Sequence, residues 1–371
     1  MLLGIAFHLT YFWGWHAPIP QSVSPATTWF TTLSHAFRMP LFYLVAGFFG
    51  ALLLARGGAR AFVRHRLKRI GLPLAVGLVT VAPATSVLLA LAPRHPAGVG
   101  DLTVGDYTNP QHLWFLWYLL LLYALTLGVR ALLERLGRTG AVEGTRATLV
   151  RVLSWRTALL PLAAAAAVLN IATTAIESGV GGSIWADASL LGYYGSFFAV
   201  GWLLFARREE IGVLARRPLG YAALAAGAAV PLAELAPVQS EPTDFGALET
   251  YAALSLSALV AWSAILALFG IAERWLSVDR PAVRYVTDSS YWMYLAHMPV
   301  LLVVVPAVLA TGVPFTLAYL ASLAIVAALL LGSYAAFVRH TAIGRVLHGP
   351  RPRAAGRRAA TASTQPVSDR T

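Results

Sequence analysis

Ten stretches of this chain, at about 1–16, 38–55, 71–92, 113–133, 157–176, 189–206, 218–236, 250–272, 285–309 and 314–337, consist almost entirely of apolar residues. Each is near the length a helix needs to cross roughly 30 Å of hydrocarbon. Backbone polar groups find no water at that depth, so a spanning segment must satisfy them internally, as a helix does. The expected fold is therefore all-α, a polytopic membrane bundle of about ten transmembrane helices. Hydrophobic residues make up 58% of the 371 and charged residues 12%, against about 25% charged in soluble domains.

The connections between these stretches alternate in charge. Five basic segments, Arg56 to Arg69, Arg130 to Arg156, Arg207 to Arg217, Glu273 to Arg284 and the tail from Arg339, hold 26 of the 28 lysines and arginines. Only Arg38 and Arg94 lie on the other side. The positive-inside rule then places both termini in the cytoplasm. Asp101, Asp106, Glu177, Asp187, Glu234, Glu241, Asp244 and Glu249 fall in or beside the outer loops. The formal net charge of +12 is thus a topology signal, and no nucleic-acid partner is expected. Residues 1–340 read as one transmembrane domain, and residues 341–371 as a basic, disordered cytoplasmic tail able to touch anionic lipid. Trp13, Trp15, Trp29, Trp114, Trp117, Tyr118, Trp185, Tyr193 and Tyr194 read mostly as interfacial anchors.

Four features stand out against this apolar background. His8 sits in the middle of the first run, where an ionisable group is costly and hence a functional suspect; the alternative is a buried histidine bonded to a neighbouring helix. His35 and Arg38 enter the outer end of the second span on one helical face. Arg38 either faces a polar cavity, where its fork suits a carboxylate or an anionic substrate, or snorkels to headgroups. Arg66, Lys68 and Arg69 gather donors at the cytoplasmic mouth of spans 2 and 3, as a phosphate-rich ligand would require or as any inner loop would carry. Finally, His112-Leu113-Trp114 opens span 4, while Tyr291, Tyr294 and His297 recur at three-residue spacing in span 9, a polar stripe for chemistry or for an interhelical network.

There is no cysteine, which excludes thiolate nucleophiles and Cys-ligated metals. No P-loop, His-Glu-x-x-His or Gly-x-Ser-x-Gly motif occurs, and no carboxylates repeat along a span. Histidine at bilayer depth above a cationic pocket suits general-base work on a neutral hydroxyl with an anionic donor.

These residues together make the chain similar to the acyltransferase-3 family of integral membrane acyltransferases. The likeness rests on His8, Met39-Pro40-Leu41-Phe42-Tyr43-Leu44-Val45-Ala46-Gly47, Arg66 and Arg69 followed by Pro73, His112-Leu113-Trp114-Phe115-Leu116-Trp117-Tyr118, and Ser290 through His297. It implies transfer of an acetyl, succinyl or similar group from cytoplasmic acyl-CoA to a carbohydrate hydroxyl at or beyond the outer face of a bacterial plasma membrane. By that likeness His8 is the catalytic histidine, and Arg66 with Arg69 sit at the acyl-CoA mouth. The segments around Arg38 and His112 look most similar to the branch that modifies osmoregulated glucans.

The expected site thus has His8 and His35 as catalytic, with Arg38, His112, Trp114, Tyr291, Tyr294 and His297 binding substrate. Arg66, Lys68 and Arg69 bind acyl-CoA, and no metal is involved. Expected partners are membrane lipid, acyl-CoA, a carbohydrate acceptor and glycan-assembly proteins. The competing reading is a transporter or flippase for a sugar or lipid with histidine proton coupling, which would move substrate without acyl-CoA.

The family pattern carries an arginine eleven residues before the span-1 histidine, a position that here falls before Met1. The expectation is a start further upstream, the alternative being a member that lacks this arginine and is impaired; the mass of the N-terminal peptide decides between them. The topology makes its own prediction: a fluorescent protein fused after Thr371 glows, while alkaline phosphatase fused there is inactive. Active phosphatase would reverse the orientation.

Overall fold

The computed structural model describes residues 1–16, 25–93, 98–154, 157–173, 185–206, 217–235, 246–275 and 280–349. All regular structure among them is helical. The longer elements are α1 (Leu2–His16), α2 (Pro25–Arg66), a π turn (Leu67–Gly71), α3 (Leu72–Val79) and α4 (Val81–Ala90). After a short α5 (Val104–Thr108) come α6 (Trp114–Arg135), α7 (Thr139–Ser154), α8 (Leu159–Thr173) and α9 (Ala188–Leu204). The chain continues through α10 (Pro218–Leu235), α11 (Ala247–Trp275), α12 (Pro281–Leu309), α13 (Phe315–Ser333) and α14 (Ala342–His348).

All ten apolar runs are helical over nearly all their described residues. Six stretches are long and apolar enough to cross a membrane: Pro25–Ala90, Gln111–Arg135, Pro218–Leu235, Ala247–Trp275, Pro281–Leu309 and Phe315–Val338. The first of these holds two of the ten runs, and Leu159–Ala172 and Ala188–Leu204 are shorter apolar helices. The basic connection expected over 56–69 is itself helical, interrupted by a kink at Gly58 (φ 69°, ψ 175°). Only glycine enters that left-handed region without a Cβ penalty, so one residue replaces a loop.

Helix α9 lies along α2, α10 along α11, and α11 against α8, while α1 packs on α2, α12 and α13. The α2–α9 contact is backbone to backbone. A Cβ on Gly47 would run into the Phe198 carbonyl, and one on Gly201 into the Leu44 carbonyl. Hydrocarbon gives apolar helices no reason to leave lipid for each other, so such close approach through small residues is what makes the contact favourable.

Around this contact the aromatic rings are internal. Tyr43 stacks on Tyr194 with centroids 4.8 Å apart, and Phe197 stacks on Trp262 at 5.0 Å. Tyr118, Tyr193 and Tyr194 are buried, and Trp13 is buried against Phe315. The anchor reading is therefore corrected for these residues, because large rings gain more from edge and stacked packing inside the bundle than from the headgroup layer. Trp185, 85% exposed, remains on the surface.

Seven residues of the segment read as tail form α14, which packs on the π turn. Arg94, Glu177, Glu241, Asp244, most of the Arg207 to Arg217 connection and the tail from residue 350 lie outside the described residues. The side chains of Trp15 and His16 do so as well.

The close helix approach is testable. Gly47→Leu or Gly201→Leu should lower stability by about 3 kcal/mol through overpacking. Gly227→Ala, where nothing lies within 4 Å of the added carbon, should be neutral or stabilising by up to about 1 kcal/mol. Thermal unfolding in detergent separates the two cases.

Candidate active site

Three histidines from three separate elements meet inside the bundle. The His8 ring on α1 lies 5.1 Å from that of His297 on α12, and His297 lies 4.9 Å from His112, in the 3-10 turn just before α6. His112 and His297 are buried at 8% and 1% exposure, and His8 is half-buried.

Proline explains why His112 docks on α12. Pro299 has no N–H, so the Leu295 carbonyl four residues earlier loses its helical donor. His112 Nε2 supplies a replacement at 3.2 Å. Tyr294 Oη donates to the His112 carbonyl at 2.7 Å, and His297 Nδ1 bonds to the Tyr294 carbonyl at 2.8 Å.

The residue before His112 is held in an uncommon conformation. Gln111 has φ 50°, a region that non-glycine residues enter only when their surroundings hold them there. Its N–H bonds to Asn109 Oδ1 at 2.8 Å, and its side-chain amide to Ser86 Oγ at 3.0 Å. On the other side, the Ala6 carbonyl, two residues before His8, accepts from Thr10 Oγ1 and Tyr319 Oη, each at 3.0 Å. These bonds tie α1 to α13.

Next to His8, Phe7 serves as a platform. The His35 ring stacks on it at 5.2 Å, and the Arg38 guanidinium lies over its face at 4.1 Å, within cation–π range. Arg38 is 8% exposed and lies against Gly4. Its charge acts on both His8 and His297, and His35 also lies within electrostatic reach of His8. His35 and Arg38 thus share a face as expected, and that face is turned to α1.

The tyrosine stripe of α12 leads from this cluster to the basic π turn that carries Arg69. Tyr294 and Tyr291 stack with centroids 6.4 Å apart, and Tyr291 Oη donates to the Arg69 carbonyl at 2.6 Å. Six helical residues separate Tyr291 from His297, about 9 Å along the axis. The Arg66 guanidinium lies 4.5 Å from the Tyr123 ring centroid and 5.4 Å from that of Phe62. Arg69 Nη1 donates to the Leu347 carbonyl of α14 at 3.4 Å.

Not every expected site residue joins these groups. Lys68 is exposed. Trp114 packs among Tyr43, Tyr118 and Tyr194 and belongs to the aromatic core. Tyr291 is bonded to the Arg69 carbonyl, whereas His297 lies beside His8. Sequence reasoning misses Phe7, Pro299 and Tyr123; only the first two carry a signal, an aromatic ring beside an ionisable residue and a proline inside an apolar run. Among the described residues, no group of three or more His, Cys, Asp or Glu is arranged to hold a metal.

A family model described as an acyltransferase domain matches residues 1–338. Proteins named glucans biosynthesis protein C from Salmonella paratyphi B, Salmonella dublin and Salmonella enteritidis are each 26% identical to this chain over 313 residues. The matches cover 81% of this chain and 79% of theirs. No solved structure matches.

Tyr294→Phe removes the donor to the His112 carbonyl and should lower stability by about 1 kcal/mol, read as a fall in the unfolding temperature. An unchanged midpoint would mean that the bond is replaced or absent.

Proposed function

The chain belongs to the acyltransferase-3 family, and on that premise we propose that it moves an acyl group of acetyl or succinyl type from cytoplasmic acyl-CoA to a hydroxyl of an extracytoplasmic carbohydrate. Family membership makes it an integral membrane acyltransferase, which sets the transporter reading aside. The name shared by the Salmonella relatives favours a glucan as the carbohydrate.

The observation that carries this reading is the path from Arg69 through Tyr291 and Tyr294 to the three histidines. The guanidiniums of Arg66 and Arg69 suit the phosphates of acyl-CoA at the cytoplasmic mouth. The thioester then extends along the tyrosine stripe towards His8. His8 takes the proton of the acceptor hydroxyl as its oxygen bonds to the acyl carbonyl carbon. The carbon–sulfur bond breaks, the electron pair leaves on sulfur, and the proton passes from His8 to that thiolate. The products are an ester and free CoA.

Arg38 lies close enough to His8 and His297 to stabilise the oxyanion that forms during attack. His35, stacked on Phe7, fixes the platform beside the reacting group. Residues 1–340 form the catalytic unit in this reading, and membrane lipid surrounds it.

His8→Ala should reduce acyl transfer by about 100-fold or more while the protein still inserts and unfolds at its usual temperature. Arg66→Ala with Arg69→Ala should raise the KM for acyl-CoA and leave that for the acceptor nearly unchanged. Labelled acyl transfer in reconstituted membranes reads both, and full activity of His8→Ala would overturn the assignment.

A further inference from the structure

Backbone carbonyls fix the protons on two of the three histidines. A carbonyl oxygen only accepts, so the His297 proton lies on Nδ1, bonded to the Tyr294 carbonyl, and the His112 proton on Nε2, bonded to the Leu295 carbonyl. The other nitrogen of each ring, His297 Nε2 and His112 Nδ1, has no hydrogen-bond partner although both residues are more than nine-tenths buried. A proton on either would be a buried charged donor without an acceptor, which is costly. Both are therefore bare lone pairs. With the rings 4.9 Å apart and both protons already engaged, neither ring can donate to the other.

This pair constrains what can bind. Two buried acceptors ask for donors from the ligand. An ammonium would supply them but would sit near the Arg38 guanidinium, whose charge acts on His297 and His8. A phosphate or carboxylate would set its oxygens against two lone pairs. An uncharged hydroxyl meets neither objection.

We propose that His112 Nδ1 and His297 Nε2 form a paired acceptor that binds hydroxyl groups of an uncharged polyol, holding one hydroxyl of a sugar ring while its neighbour is presented to His8. The assignment rests on the acyl-transfer reading given above and narrows its acceptor to neutral sugars. O-acylation is then favoured over N-acylation by the pair itself, since the ammonium of a cationic sugar is disfavoured beside Arg38 before chemistry begins.

The test uses the full chain in lipid nanodiscs, labelled with ¹⁵N-histidine, and two readouts. Nitrogen NMR should place the His297 proton on Nδ1 and the His112 proton on Nε2. Transfer from labelled acetyl-CoA and succinyl-CoA should then be compared for a β-glucan oligosaccharide, a glucosamine oligosaccharide and a glucose phosphate. The neutral glucan should exceed both others by at least about 100-fold in kcat/KM, since a site built for hydroxyls rejects ligands that leave its polar groups unpaired. His297→Gln, which keeps an acceptor oxygen, should retain most of that ratio, and His297→Phe should reduce it to below about 10-fold. Comparable transfer to all three, or the opposite tautomers with transfer intact, overturns the paired acceptor alone. The stated tautomers with transfer to none of the three would overturn the carbohydrate reading on which it rests.

Discussion

A carbonyl left without its helical donor inside hydrocarbon must find another, and that requirement organises the centre of this molecule. Pro299 releases the Leu295 carbonyl, which a side chain of a neighbouring element can answer. His112 answers, and in doing so brings the start of α6 against α12. The same bond fixes which nitrogen of His112 carries its proton. Tyr294 returns a bond to the His112 backbone and offers its own carbonyl to His297. Two bonds between the elements and one within α12 thus hold two imidazoles at defined tautomers, and α1 lays His8 beside them.

From that centre the arrangement is two-ended. At the basic end, Tyr291 reaches the Arg69 carbonyl, Arg66 lies over Tyr123, and α14 closes on the π turn through Leu347. In the other direction lie His35 and Arg38, gathered on Phe7. A donor bound through phosphates and an acceptor bound through hydroxyls would approach from opposite ends and meet at His8. The tight α2–α9 contact through Gly47 and Gly201 gives the bundle a rigid wall behind Tyr43 and Tyr194. Precise placement of reacting groups requires such support.

Much of this was legible in the sequence because the bilayer leaves few choices. Apolar runs of spanning length had to be helical, and they are. His8, His112 and His297 were legible as costly polar groups at depth, though not as neighbours, since they lie in elements far apart in the chain. The stripe of Tyr291, Tyr294 and His297 followed from helical spacing alone. What escaped depended on tertiary contact. Phe7 looks like lipid-facing filler until His35 and Arg38 are laid on it, and Trp13, Tyr118 and Tyr194 look like anchors until a neighbouring helix buries them. Gly58 replaces a connection that charge alone made look like a loop. Lys68 shares a basic run with Arg66 and Arg69, yet it is exposed apart from them, because three positions so close in a helix cannot all face inward.

The most direct test of the central claim, that the two substrates approach the histidines from opposite faces, is a sided assay in proteoliposomes with protein of known orientation. Labelled acyl-CoA is confined to the compartment that faces Arg69, and a neutral glucan oligosaccharide is supplied only on the other side. Esterified glucan should accumulate in that second compartment, and exchanging the two substrates between compartments should abolish it. Equal product in both arrangements, or product only when both substrates share one side, would contradict the account.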